Sequence, residues 1–126
     1  MSFTVAIVDD DDSVRVAVGS LVRSLGFDAL AFSSAESFLA SGRVGDVDCL
    51  ITDVQMPGMS GPELQSHLAS ERSDLPVILI TAFPEERLRR QAEDAGAYGF
   101  LAKPFDGQAM IRCLEAALEG RDASLR

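Results

Sequence analysis

Five short apolar runs without polar alternation punctuate the sequence at 3–8, 27–32, 47–52, 76–81 and 98–102. A strand that is apolar on both sides has to be covered on both faces. The intervals between the runs carry helical spacing instead. Val14, Val18, Leu21, Val22 and Leu25 recur at three and four residues and stop at Gly26, with Asp12 or Ser13 placed to cap the start. Ser33 and Glu36 have capping-box spacing ahead of a short helix with Phe38 and Leu39. A loop rich in Gly and Pro at 55–61 precedes a helix with Leu64 and Leu68. Pro84 suits the first position of the next helix, which is expected to end near Gly96. Asp106 can cap a last helix carrying Met110, Ile111, Leu114 and Leu118 and ending near Gly120. The pattern is strand then helix, five times. It predicts an α/β fold: a doubly wound, five-stranded parallel sheet between two helical layers.

With 126 residues and 47% hydrophobic composition the chain is expected to form one domain with a substantial core. Residues 1–120 should form that domain, and 121–126 a tail or the start of a linker. Eleven Lys and Arg against twenty Asp and Glu give a net charge of −9. Such a chain repels phosphate backbones, so direct nucleic-acid binding is not expected, and an anionic membrane surface is disfavoured for the same reason. Hard cations become plausible ligands. Cys49 and Cys113 lack metal-type spacing and read as structural. No apolar run approaches membrane-spanning length, and MSFTVAIVDDDD is not a signal peptide. A cytoplasmic location is therefore expected.

In a sheet of this kind ligands collect at the carboxyl ends of the strands. The first strand runs into Asp9-Asp10-Asp11-Asp12, the third into Asp53, the fourth ends in Thr81 and the fifth reaches Lys103. Acid runs after strands are common as solvated loops, and a lone Asp at a strand end is common as a turn residue. Four loaded strand ends in one topology are harder to attribute to chance. Crowded carboxylates suit a divalent cation such as Mg²⁺, while Thr81 and Lys103 are donors for an anion. Cation, anion and carboxylate nucleophile together describe phosphoryl chemistry. No G-x-x-x-x-G-K-[ST] stretch is present, so a P-loop is not indicated.

The stretches IVDDDDSVR (7–15), LITDVQMPGMSG (50–61), ILITA (78–82) and AGAYGFLAKPF (95–105) resemble the receiver domains of bacterial two-component response regulators. The resemblance covers roughly residues 4–119 and is nearest to FixJ-type receivers. It implies a flavodoxin-like, CheY-like (βα)5 fold. It also implies that Asp53 is the phosphoacceptor for a sensor histidine kinase. Asp9, Asp10, Asp53 and the Gln55 backbone carbonyl would hold Mg²⁺ or Mn²⁺, while Asp11 and Asp12 solvate or cap the next helix. Thr81 and Lys103 would meet phosphoryl oxygens, across an expected cis Lys103–Pro104 bond. Thr81 and Phe100 would form a switch, and Gln55 and Phe83 would tune loss of the phosphoryl group. Such a domain is not an enzyme beyond its own phosphorylation and dephosphorylation. It implies a phosphorylation-dependent homodimer through the fourth helix, fifth strand and fifth helix, where Arg89 or Arg90 would meet an acid of a second copy. The domain would stand alone or belong to a FixJ-type transcriptional regulator. The alternative is a haloacid-dehalogenase-like phosphohydrolase, whose D-x-D opening Asp9–Ser13 mimics. That reading lacks a cap and an acid pair after Lys103. His67, the single histidine, is expected on a helix surface.

Overall fold

The apolar runs fold as strands of one parallel sheet, in a computed structural model that describes residues 3–72 and 74–124, with side chains described as far as residue 119. The strands are β1 (Thr4–Val8), β2 (Asp28–Phe32), β3 (Cys49–Asp53), β4 (Val77–Thr81) and β5 (Gly99–Ala102). The helices are α1 (Asp12–Ser24), α2 (Ala35–Ala40), α3 (Gly61–Glu71), α4 (Glu86–Asp94) and α5 (Gly107–Ser124). The sheet order is β2-β1-β3-β4-β5 with all pairs parallel. This is the doubly wound, flavodoxin-like α/β arrangement. The winding reverses between β1 and β3, which opens a crevice at their carboxyl ends.

Side chains alternate across the strands and build a core on each face. Val5, Ile7, Cys49, Ile51, Ile78 and Ile80 join Val18 and Val22 of α1 and Met110 and Leu114 of α5. Ala6, Val8, Leu50 and Leu79 join Phe38 of α2, Leu64 and Leu68 of α3 and Ala92 of α4. Both faces of β1, β3 and β4 are therefore dry, and this is why those runs show no polar alternation.

Several boundaries depart from the sequence pattern. Asp11, not Asp12 or Ser13, caps α1: its carboxylate accepts from the Ser13 and Val14 amides at 2.9 and 3.4 Å. Ser34, not Ser33, caps α2 through the Ser37 amide. β3 starts at Cys49, because a 3₁₀ turn at Val44–Asp46 precedes it. Arg72 holds that approach by donating to the carbonyls of Val44 and Val47 at 2.8 and 3.1 Å. α4 begins at Glu86, leaving Pro84 in the preceding loop, since Glu85 keeps an extended backbone. Asp106 caps α5 as expected, accepting from the Gln108 amide at 3.1 Å. That helix continues to Ser124, past the end expected near Gly120; Leu125 and Arg126 lie outside the described residues. A glycine costs a helix interior only about 1 kcal/mol and does not by itself end it. Cys49 is buried and Cys113 half-buried, both as free thiols.

Phe38 has no exposed surface, and its ring packs at a tilt against that of Phe32, with centroids 5.2 Å apart. Phe38→Ala removes a fully enclosed ring, and urea unfolding should register a loss of about 3–5 kcal/mol.

Candidate functional site

The carboxyl edge of the sheet brings four of the expected side chains together. Asp9 follows β1 and is fully buried, Asp53 ends β3 and is 5% exposed, and Asp10 is exposed at the rim. Their carboxylate oxygens lie within 4.8 Å of one another, a group able to hold a metal ion. Lys103, just past β5, reaches in from two strands away. Its Nζ is 2.9 Å from Asp9 Oδ2 and 3.4 Å from Asp53 Oδ2.

The local backbone fixes these positions. Asp9 Oδ1 accepts from the Asp11 amide at 2.8 Å, which turns the acid run into α1. Arg15, one turn into α1, donates to the Asp9 carbonyl at 2.7 Å and pairs with Asp12. The Lys103 amide donates to the Thr81 carbonyl at 2.7 Å, continuing the β4–β5 ladder past the end of the strand. The Lys103–Pro104 peptide is cis.

Burial raises the Asp53 carboxyl above the ordinary value of 3.8, and the neighbouring Asp9 charge adds to it; Lys103 opposes this without cancelling it. For Lys103, burial pulls downward, but the hydrogen bond and charges of Asp9 and then Asp53 outweigh it, so the ammonium is held above its usual value and stays charged. Asp9 Oδ2 is buried with no hydrogen-bond partner apart from its ion pair with Lys103. The donor set is oxygen only and carries a surplus of negative charge, and it fits a hard divalent cation.

Thr81 is fully buried at the end of β4, and its hydroxyl accepts from the Phe83 amide at 3.0 Å. Gln55 and Phe83 are both exposed, Phe83 at 61%. Phe100 is not part of the acid cluster. It stands in register with Leu79 on β5, half-buried, beside a cavity of about 70 Å³ that Gln65 of α3 and Leu88 of α4 also line. Arg89 is already engaged by Glu86 and Glu93 of its own helix, and Arg90 is 3.6 Å from Glu86. His67 is exposed on α3, 3.3 Å from Glu71. Arg15 has no role in the sequence reading. Its target is a backbone carbonyl, which leaves no residue pattern to read.

The profile described as "Response regulator receiver domain" matches residues 5–115, and the chain belongs to that family, the receiver domains of two-component response regulators. Among its relatives is the transcriptional regulatory protein FixJ of Azorhizobium caulinodans, 40% identical over 97% of this chain and 57% of the relative. Another is the C4-dicarboxylate transport transcriptional regulatory protein DctR of Rhodobacter capsulatus, 37% identical over 99% of this chain and 64% of the relative. The chain thus spans somewhat over half the length of these curated relatives. The crystal structure of FixJ-N superposes with a TM-score of 0.83 at 37% identity, covering 94% of this chain and 95% of that one. The phosphohydrolase alternative finds no support in these likenesses. Among the described residues no helix is long and apolar enough to cross a membrane.

A folded-state carboxyl held above 3.8 contributes stability that is fully present below that pH and is lost as pH rises through the folded value. In metal-free buffer Asp53→Asn should therefore raise the melting temperature at neutral pH. The gain should shrink as the pH is lowered toward 3.8, which a thermal unfolding series against pH would read out.

Proposed function

We propose that this chain accepts a phosphoryl group on Asp53 from a sensor histidine kinase and signals by changing the surface it presents. The observation that carries this reading is the cluster of Asp9, Asp10 and Asp53 oxygens with Lys103 set between Asp9 and Asp53. An Asp53 carboxylate oxygen attacks the phosphorus of the phosphohistidine. The new O–P bond forms as the P–N bond breaks, and the imidazole leaves with the electron pair of that bond. Lys103 turns toward a phosphoryl oxygen and offsets its charge. The Thr81 hydroxyl donates to another, giving up the turn it closes with the Phe83 amide. Asp9, Asp10, Asp53 and the Gln55 carbonyl would hold Mg²⁺ or Mn²⁺, which when bound supplies the positive charge that transfer of a phosphoryl dianion requires.

Movement of Thr81 toward the phosphoryl group frees space for the Phe100 ring, and the α4–β5–α5 face changes with it. Homodimerisation through that face follows from this reading, with Arg90 the freer of the two arginines for a second copy. Acting in the cytoplasm, the domain would pass its signal through protein contacts, since a charge of −9 disfavours nucleic acid. The likeness to FixJ and DctR supports an output in transcriptional control. Catalysis is confined to the chain's own phosphorylation and dephosphorylation.

Intact mass after incubation with Mg²⁺ and acetyl phosphate tests the central claim. The parent should gain one phosphoryl group, Asp53→Ala none, and chelation of the metal should abolish the gain. A parent that gains nothing overturns the reading.

Gln55 and Phe83 flank the acceptor as a polar and an apolar side chain. Phe83 shields the phosphoryl group from water, so Phe83→Glu should lose phosphate faster than the parent in a time course of the phosphorylated form. A slower loss would contradict that role.

A further inference from the structure

The segment after Asp53 is a closed loop tied down at several points. Val54 donates to the Ile80 carbonyl at 2.9 Å, and the Gly61 amide closes the loop by donating to the Val54 carbonyl at 3.0 Å. Gly61 is pressed against the acceptor strand, since a Cβ there would lie 2.2 Å from the Asp53 carbonyl oxygen. Ser60 and Glu63 form a capping box at 2.9 and 3.2 Å. Met56 and Met59 pack on the core shared with α2 and α3.

A further tie comes from a different element. Glu36, in the first turn of α2, accepts from the Met59 amide at 2.9 Å across 23 residues of sequence. The preceding residue, Gly58, has φ of +78°, and a Cβ there would stand 2.5 Å from Glu36 Oε2. The hydrogen bond and the missing side chain are separate features that keep one carboxylate seated on one loop. Glu36 is itself exposed and buries nothing.

We propose that Glu36 is a positioning residue for the metal centre. It holds the loop that carries Gln55, and so presents the Gln55 carbonyl to the cation. The inference rests on the reading of the acid cluster given under the proposed function. Outer-shell partners of metal ligands commonly change affinity by tenfold or more when removed.

Calorimetric titration with Mg²⁺ tests it, alongside hydrogen exchange at the Met59 amide and thermal unfolding in chelator. Glu36→Ala should weaken Mg²⁺ binding about tenfold, expose the Met59 amide to exchange, and leave the melting temperature without metal nearly unchanged. Glu36→Gln keeps a carbonyl acceptor and should restore binding to within about twofold of the parent. Gly58→Ala should weaken binding as Glu36→Ala does. If Glu36→Gln weakens binding as much as Glu36→Ala, charge rather than position is responsible and the proposal falls. It falls equally if Glu36→Ala binds Mg²⁺ like the parent. A parent that binds Mg²⁺ only as weakly as Asp10→Asn removes the metal centre itself, and the proposal with it. That outcome is distinguishable from the others, in which the parent binds and only the Glu36 variants decide.

Discussion

Two buried carboxylates share one ammonium at the carboxyl edge of the sheet, and much of the architecture serves to make that contact possible. Asp9 and Asp53 belong to neighbouring strands, but Lys103 follows β5, with β4 lying between. Only a long side chain spans that distance. Its base must also be fixed, or the entropy of ordering four methylenes would pull the ammonium back to water. The amide of Lys103 bonded to the Thr81 carbonyl supplies that fixed base. The order β1-β3-β4-β5 and the common parallel direction are what bring all these strand ends to one edge.

The ion pairs do not balance the site. Three carboxylates against one ammonium leave two negative charges in a partly buried crevice. The upward displacement of Asp53 is the signature of that surplus together with burial. A divalent cation would remove the surplus, and Lys103 would then be free to meet an anion instead of its two acids. Under the proposed function, the same imbalance that destabilises the metal-free crevice would prepare it for a cation and a phosphoryl group together. Arg15 and Glu36 act on either side of this centre through backbone groups alone, one on the Asp9 carbonyl and one on the Met59 amide.

What the sequence reveals follows from which forces leave a residue pattern. β1, β3 and β4 are legible because burial on both faces demands uninterrupted apolar residues, as in Val77–Thr81. The acid cluster is legible because its members sit at strand ends. Strand order is not, since it depends on which way each crossover turns. Caps are displaced by one residue where several capable residues stand in a row, as in Asp9–Ser13 and Ser33-Ser34. Geometry chooses among them, and all would satisfy the pattern. The start of α4 is misread for a different reason: Thr81 closes a turn with the Phe83 amide and delays the helix beyond Pro84. Arg15 escapes notice, and Glu36 is read as a capping-box residue when it serves the Met59 amide instead, because a backbone partner has no identity to match.

Both faces of the sheet are well filled, but the elements around it are unequally anchored, and under the proposed function this would bear on how a charge change at Asp53 reaches the surface. α1 and α5 bury Val18, Val22, Met110, Leu114 and Leu118 against β1, β3 and β4. By contrast α4 buries only Ala92, and β5 has no fully buried residue. Next to them lies a cavity of about 70 Å³ bordered by Phe100, and the Phe83 and Tyr98 rings stand exposed. Tightly packed layers resist displacement, while an element with few buried contacts has close alternative positions at small cost. A ligand shifts such an equilibrium only by binding its two states differently. Under the proposed function Thr81 would supply that difference at the junction, because its hydroxyl, which now accepts from the Phe83 amide, would be drawn toward a phosphoryl oxygen. The lightly anchored α4–β5 edge is therefore where a group added at Asp53 would have the least resistance to overcome.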